Sequence, residues 1–429
     1  FSKYELNLNL DNFIDSSLDF SLQKVNNDTY LKIFDTNIVN TDLKPDNFDT
    51  LTSEINLNLE NEKFVFNTGL TAYENLTKQN SDRYQYVLPY YNFSNRFFEN
   101  NNFASFNFFS QGDNILKDTN SLRSRMINNL NIQSYDYFSK SGFKNNLNYY
   151  LKNTISAGKN NTEYESSAHI KFMNIFEIVS SFPLVNENET YIDYLSPKVS
   201  LRINPSDMKS YKNENRLINN DNIFNINRLG LIDTLESGQN LTIGLDYKKE
   251  KIDKINKYFE LKLGTVLRTK SNEDIPSNST LNKKNSNYFG KITNNLSENI
   301  NFNYEFSINH DLNEVQYNSF GTTIEKNNFI TTFNYIEENG QIGSSNVIEN
   351  VTTFNFNDKN FITFRTRENR EIDLTEYYDF IYEYKNDCLV AGIKYNKTYY
   401  KDRDLEPTED FMLSIKLIPL TAVEQKFAN

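Results

Sequence analysis

Apolar and polar residues alternate with a period of two along most of this chain. Tyr4, Leu6, Leu8 and Leu10 are separated by Glu5, Asn7 and Asn9, and Leu18, Phe20 and Leu22 and then Ile55, Leu57 and Leu59 repeat the pattern. It returns at Phe259, Leu261 and Leu263, at Ile300, Phe302, Tyr304, Phe306 and Ile308, and at Phe411, Leu413, Ile415 and Leu417, which face away from Met412, Ser414 and Lys416. Successive side chains of a strand point to opposite faces, so each segment has one apolar and one polar face. No stretch carries a convincing helical period. Cutting the chain at its Asn, Asp, Gly and Ser clusters predicts about 20 strands. Residues 325–328 and 357–360 read as tight hairpin turns, and longer polar links run over 24–53, 207–235 and 270–287.

Short turns at one end of the strands and long loops at the other are the pattern of an outer-membrane barrel, whose tilted strands of about 9–11 residues cross the hydrocarbon. A soluble β-sandwich uses shorter strands, and a β-solenoid would show a recurring motif at fixed spacing, which is absent. The fold class predicted is therefore all-β: a large antiparallel transmembrane β-barrel that is not fully closed by these residues.

Composition fits this picture. Hydrophobic residues are 38% of the chain and the mean hydropathy is −0.67, yet there are 34 Phe and 28 Tyr. A wall with lipid on one face and water on the other needs many aromatics but no thick core. So many aromatics oppose disorder. The net charge of −12, with Lys and Arg scattered, gives no electrostatic footprint for nucleic acid. Two His and one Cys exclude a Cys/His metal cluster and an internal disulfide framework. No Ser-His-Asp pattern, P-loop or Gly-rich phosphate motif occurs, so the chain reads as neither an enzyme nor a cofactor binder.

Five stretches, in order, resemble the C-terminal barrel of the LPS-assembly protein LptD family. They are Asn27-Asp28-Thr29-Tyr30-Leu31-Lys32 with Phe34-Asp35; Leu88-Pro89-Tyr90-Tyr91; Leu195-Ser196-Pro197-Lys198-Val199 continuing to Asn204-Pro205; the run from Asn222 to Gly238; and Asp387-Cys388 with Lys401-Asp402-Arg403-Asp404 and Pro407. The fourth is the most specific, through Asn222, Phe224, Asn227, Arg228, Gly230, Asp233, Glu236 and Gly238. Thr234 stands where the family usually has Arg, and the spacing from Arg228 to Gly230 is one residue short.

The resemblance implies a non-enzymatic outer-membrane translocon that inserts lipopolysaccharide into the outer leaflet. Family members have a periplasmic β-jellyroll and a barrel of about 26 strands, plugged by an LptE-like lipoprotein and fed by an LptA-like periplasmic bridge through the jellyroll. Lipopolysaccharide leaves through a lateral gate between the first and last strands. On this reading residues 1–419 are a partial barrel lacking its jellyroll and opening strands, and 420–429 a C-terminal tail. The gate strand is Phe411, Leu413, Ile415 and Leu417, with Pro419 ending it; proline suits a strand end because it removes a ladder donor. Cys388 would form a disulfide with the missing N-terminal domain, the alternative being a free buried thiol.

The loop at 207–235 exceeds a hairpin turn, and loops of this length tend to be functional or disordered. Asn227, Arg228 and Asp233 are expected to form one inward-folded polar network that orders it. The tyrosine pairs 149–150, 377–378 and 399–400 are either girdle residues or turn-flanking aromatics. A general outer-membrane porin or transporter barrel, and a secreted all-β adhesin, are the competing readings.

Overall fold

The computed structural model describes residues 1–33, 45, 47–97, 103–399, 409–417 and 421–428. They form one antiparallel sheet of 24 strands. The strands are β1 (Ser2–Asn7), β2 (Asp15–Leu22), β3 (Thr50–Glu60), β4 (Phe64–Asn75), β5 (Tyr84–Phe97), β6 (Ala104–Lys117), β7 (Ser121–Ser134) and β8 (Tyr137–Phe138). Then come β9 (Lys144–Lys159), β10 (His169–Ser181), β11 (Leu184–Glu187), β12 (Tyr191–Asn204), β13 (Gly238–Lys251), β14 (Lys254–Arg268), β15 (Tyr288–Asn294) and β16 (Ile300–Ile308). The last eight are β17 (Val315–Lys326), β18 (Phe329–Glu338), β19 (Asn346–Asn357), β20 (Asn360–Asn369), β21 (Leu374–Lys385), β22 (Leu389–Thr398), β23 (Glu409–Leu417) and β24 (Thr421–Ala428).

Each strand pairs with its neighbour in sequence, with two local exceptions. β8 and β11 continue β7 and β10 after a break, so β7 pairs with β9, and β10 with β12. No pairing joins β1 to β24 among the described residues. Antiparallel hairpins account for this meander, because consecutive strands need only a short turn between them.

The longest links share one end of the sheet. At one end lie 61–63, 188–190, 252–253, 327–328, 358–359 and 386–388; at the other lie the longer links 205–237 and 269–287. The long links and hairpin turns therefore fall where the sequence pattern puts them.

The two faces differ as the alternation requires. Ile170, Phe172, Phe176, Leu201, Ile243 and Leu263 all sit on one face and are exposed. Ser200, Arg202, Asn240 and Thr242 point the other way and are buried. Exposed apolar side chains around a wall with a polar inner face fit lipid outside and water inside. Adjacent tyrosines obey the same rule: Tyr149 meets the Phe176 ring at a tilt, while Tyr150 packs on the inner side with Met173 and Ile175. Such a pair cannot contribute two residues to one girdle.

Two expectations change. The segment expected as a C-terminal tail forms β24, antiparallel to β23 from Leu417 opposite Thr421 to Asp410 opposite Ala428. Phe411–Leu417 is therefore paired on both edges and is not the edge strand of this sheet.

Candidate functional site: a loop folded against the inner wall

After Asn204 the chain leaves the sheet and returns only at Gly238. Short-range side-chain bonds shape the excursion. The Asn219 side chain accepts the N–H groups of Asp221 and Asn222, and Asn222 returns a bond to the N–H of Asn219. Asn and Asp favour such turns because their side chains mimic a backbone acceptor. Gly230 turns the chain at φ +60°, where a side chain would be strained.

The loop then buries its apolar residues on the wall. Ile218, Ile223, Leu229 and Leu231 form a cluster with Val266 and Phe289 of the sheet and with Ile275 and Leu281 of the 269–287 link. Two wall glycines make room. A Cβ on Gly244 would lie 2.6 Å from the Phe224 ring, and one on Gly264 would lie 3.1 Å from Ile223. The Lys198 ammonium sits 4.2 Å over the Phe224 ring, a cation–π contact. Leu235 packs separately on Met173 and Ile175.

Charge fastens what the apolar contacts place. Arg228 donates to Glu236 through Nε at 2.7 Å and Nη2 at 2.6 Å, and through Nη1 to Thr242 at 3.0 Å. Arg268 of β14 also donates to Glu236 and to the Ser237 carbonyl. Arg202 of β12 bridges Glu177 of β10, at 2.7 Å, to the Asn225 carbonyl, at 2.9 Å. Burial alone would raise the Glu236 carboxyl; the guanidiniums of Arg228, Arg268 and Arg202 outweigh it and hold the group at about 2.

A second anchor surrounds Asp233. It accepts the Tyr164 hydroxyl at 2.6 Å, the Lys209 ammonium at 3.0 Å and the Tyr211 hydroxyl. Burial pushes its carboxyl up, but the two hydroxyls and the ammonium bring it down to about 2. Burial and the Asp233 charge both push the Tyr211 hydroxyl well above the usual tyrosine range. The third anchor is Lys152 of β9, whose ammonium donates to the carbonyls of Leu231, at 2.7 Å, and Ile232, at 2.6 Å.

The motif residues thus converge on one loop, but not on one network. Arg228 and Glu236 share the arginine cluster, Asp233 belongs to the second anchor, and Asn227 donates to the Leu231 carbonyl at 3.2 Å. The single network expected of Asn227, Arg228 and Asp233 is divided because their side chains leave a tight turn in different directions. Gly238, at φ +92°, leaves space for the Arg268 guanidinium, which a Cβ would meet at 2.9 Å. Glu177, Arg202, Arg268, Lys152 and Tyr164 carry no motif. A charged residue at an inner position of a wall strand, such as Glu177 amid Met173, Ile175 and Val179, was the one signal available.

The remaining candidates lie elsewhere. Phe411, Leu413 and Ile415 sit on the exposed outer face of β23, Leu417 is its last residue, and Pro419 lies outside the described residues, as do Phe34, Asp35 and 401–407. Cys388 occupies the β21–β22 turn at the short-turn end. Its N–H is capped by Asn386 at 2.9 Å, and its thiol is free and exposed. Among the described residues no group of His, Cys, Asp or Glu could hold a metal ion. The site holds a loop in place.

Comparison with protein families gives a match to LptD, LPS transport system D, over residues 4–405. The chain belongs to the LptD family. As an LptD-family protein it is an outer-membrane β-barrel that acts in lipopolysaccharide transport. Comparison with curated proteins gives no match. Among solved structures it is similar to the siderophore receptor PirA from Acinetobacter baumannii, with 7% identity over 87% of this chain and 72% of that one and a TM-score of 0.42. It is also similar to the ferric-catecholate import receptor Fiu from E. coli K12, with 10% identity, 85% and 72% coverage and a TM-score of 0.36. The family match spans both the anchored loop and the turn that carries Cys388.

Proposed function

We propose that this LptD-family wall passes lipopolysaccharide to the outer leaflet and releases it sideways, through a seam between the first and last strands of the complete barrel. One observation carries the seam. β24, which has no partner on its outer edge among the described residues, has 8 residues against 14 in β12. Every ladder bond must stay paired in lipid, so a short closing ladder is cheaper to open than a long one. With β24 outside it, β23 borders the seam strand, and Phe411, Leu413 and Ile415 line its lipid side.

The anchored 205–237 loop obstructs part of the lumen from the long-loop end, the extracellular end in outer-membrane barrels. The inner face of the later strands is left for an LptE-like lipoprotein plug. An N-terminal periplasmic domain receives lipopolysaccharide from an LptA-like bridge. Cys388 bonds a cysteine of that domain, a reading supported by its exposure at the short-turn end.

Cysteine pairs joining the Thr421–Ala428 strand to the first barrel strand of the full-length protein, in a Cys388→Ser background, test the seam. Oxidation should stop lipopolysaccharide export and reduction restore it. Undiminished export from fully cross-linked protein sinks the proposal.

A further inference from the structure

The wall between β10 and β12 is open along part of its height. β10 pairs with β9 from His169 to Ser181, but its pairing with β12 begins only at Phe176, opposite Ile203. β12 ends at Asn204, where the chain turns inward. The part of β10 before Phe176 therefore has one paired edge. The Asn174 N–H leaves on the open side and finds the Ser206 hydroxyl at 3.3 Å. Backbone groups alternate along a strand, so the N–H and C=O groups of Phe172 and Ile170 face the same side. Among the described residues they have no backbone partner.

The side chains of these two residues lie on the apolar outer face, Ile170 at 58% and Phe172 at 66% exposure. Unpaired backbone beside lipid-facing side chains is costly in hydrocarbon. The notch requires a polar occupant.

Behind it, on the inner side, is a cavity of about 170 Å³ lined by Arg125, Glu163, Glu165, His169, Lys171 and Lys209, among others. Arg125 is held by Asp113 at 2.7 Å and Lys209 by Asp233 at 3.0 Å. The Lys171 ammonium is exposed and has no acidic partner among the described residues. The cavity equals the volume of about six waters at ~30 Å³ each, enough for a phosphate with part of a sugar ring.

We propose that this notch binds the phosphorylated sugar headgroup of an amphiphile. The phosphate meets Lys171, sugar hydroxyls donate to Glu163 and Glu165, and the free N–H groups of Ile170 and Phe172 donate to headgroup oxygens. The acyl chains lie outside, along the Ile170 and Phe172 side chains. One amphiphile accounts for the free edge, the free cation and the apolar rim together; an added peptide strand would explain the edge alone. The inference rests on the lipopolysaccharide reading above and places a second contact far from the β23–β24 seam.

A photo-crosslinking phenylalanine analogue at Phe172, or separately at Ile415, tests it in the full-length protein in lipopolysaccharide-producing cells. A lipopolysaccharide adduct is expected at both positions. Lys171→Glu should lower the adduct at 172 by about tenfold, the factor that losing a charge-assisted hydrogen bond represents, and leave 415 unchanged. Lys171→Arg should retain it. An adduct at 415 without one at 172 overturns the notch and spares the transport reading; absence at both overturns both. A protein adduct at 172 replaces the amphiphile with an added strand and also overturns the proposal.

Discussion

Arg228 and Glu236 close the lumenal loop on itself with two parallel hydrogen bonds of 2.7 and 2.6 Å, both residues being buried. Removing Arg228 leaves Glu236 to Arg268 and Arg202 and takes the donor from the Thr242 hydroxyl, a loss of about 1–3 kcal/mol for a buried group left short of its partner. The barrel ladders do not depend on this pair. Arg228→Ala should therefore release the 205–237 loop to protease while the barrel's own thermal unfolding stays where it was. Arg228→Lys should protect only partly, because an ammonium cannot reproduce the bidentate fork. A loop as resistant in Arg228→Ala as in the parent protein would show that the apolar contacts suffice.

The loop's attachment should be flat in pH over a wide window. Asp233 and Glu236 both sit at about 2 in the folded protein, below the ~4 of free carboxylates. Their stabilisation is present above that ordinary value and is lost as pH falls from about 4 towards 2. Tyr211 is shifted the other way, so its contribution is complete below about pH 10 and is lost as pH rises beyond it. Protease protection of the loop, followed from pH 2.5 to 11, should drop at both extremes. A step near neutrality would mean that another group controls it.

Lys152 offers a separate handle. It is 1% exposed, and its ammonium bonds two carbonyls of the loop. Lys152→Met keeps most of the volume but leaves the Ile232 carbonyl unpaired and the Leu231 carbonyl to Asn227 alone, at about 1–3 kcal/mol for the group left unsatisfied. Hydrogen exchange should speed up around 229–234 while the β9 ladder keeps its protection. Equal acceleration in β9 would mean that Lys152 supports the wall rather than the loop.

How far the residues reveal this arrangement follows from the range of each interaction. Alternation is local, so the strands over Phe259–Leu263 and Ile300–Ile308 and the hairpin turns at 325–328 and 357–360 were readable directly. The anchored loop was readable as a place, because Asn222, Arg228, Asp233, Glu236 and Gly238 lie in one run. Its partners were not: Lys152, Tyr164, Glu177 and Arg202 come from strands and links brought near by the pairing of β9 with β10 and of β10 with β12. β24 escaped notice because Thr421–Ala428 has little apolar alternation, and its register is set by pairing with β23. Thr234 shows a different limit. Its hydroxyl accepts the Lys209 N–H at 3.0 Å, so the residue that departs from the family pattern helps to position the lysine bonded to Asp233.

The glycine at 244 should be coupled to the aromatic at 224, not to the sheet around it. A Cβ at 244 would meet the Phe224 ring at 2.6 Å and the Lys198 side chain at 3.1 Å. Gly244→Ala should overpack the contact by about 1–3 kcal/mol and push the ring, with its turn, off the wall. Phe224→Ala alone should loosen the loop by removing the ring and its contact with Lys198. In the double variant the clash has no second party, so the two losses should fall short of their sum by about 1 kcal/mol or more. Proteolysis rates of the loop in the four proteins close that cycle. Strict additivity would place the cost of an alanine at 244 in the β12–β14 ladders, and the glycine would then serve the wall rather than the loop.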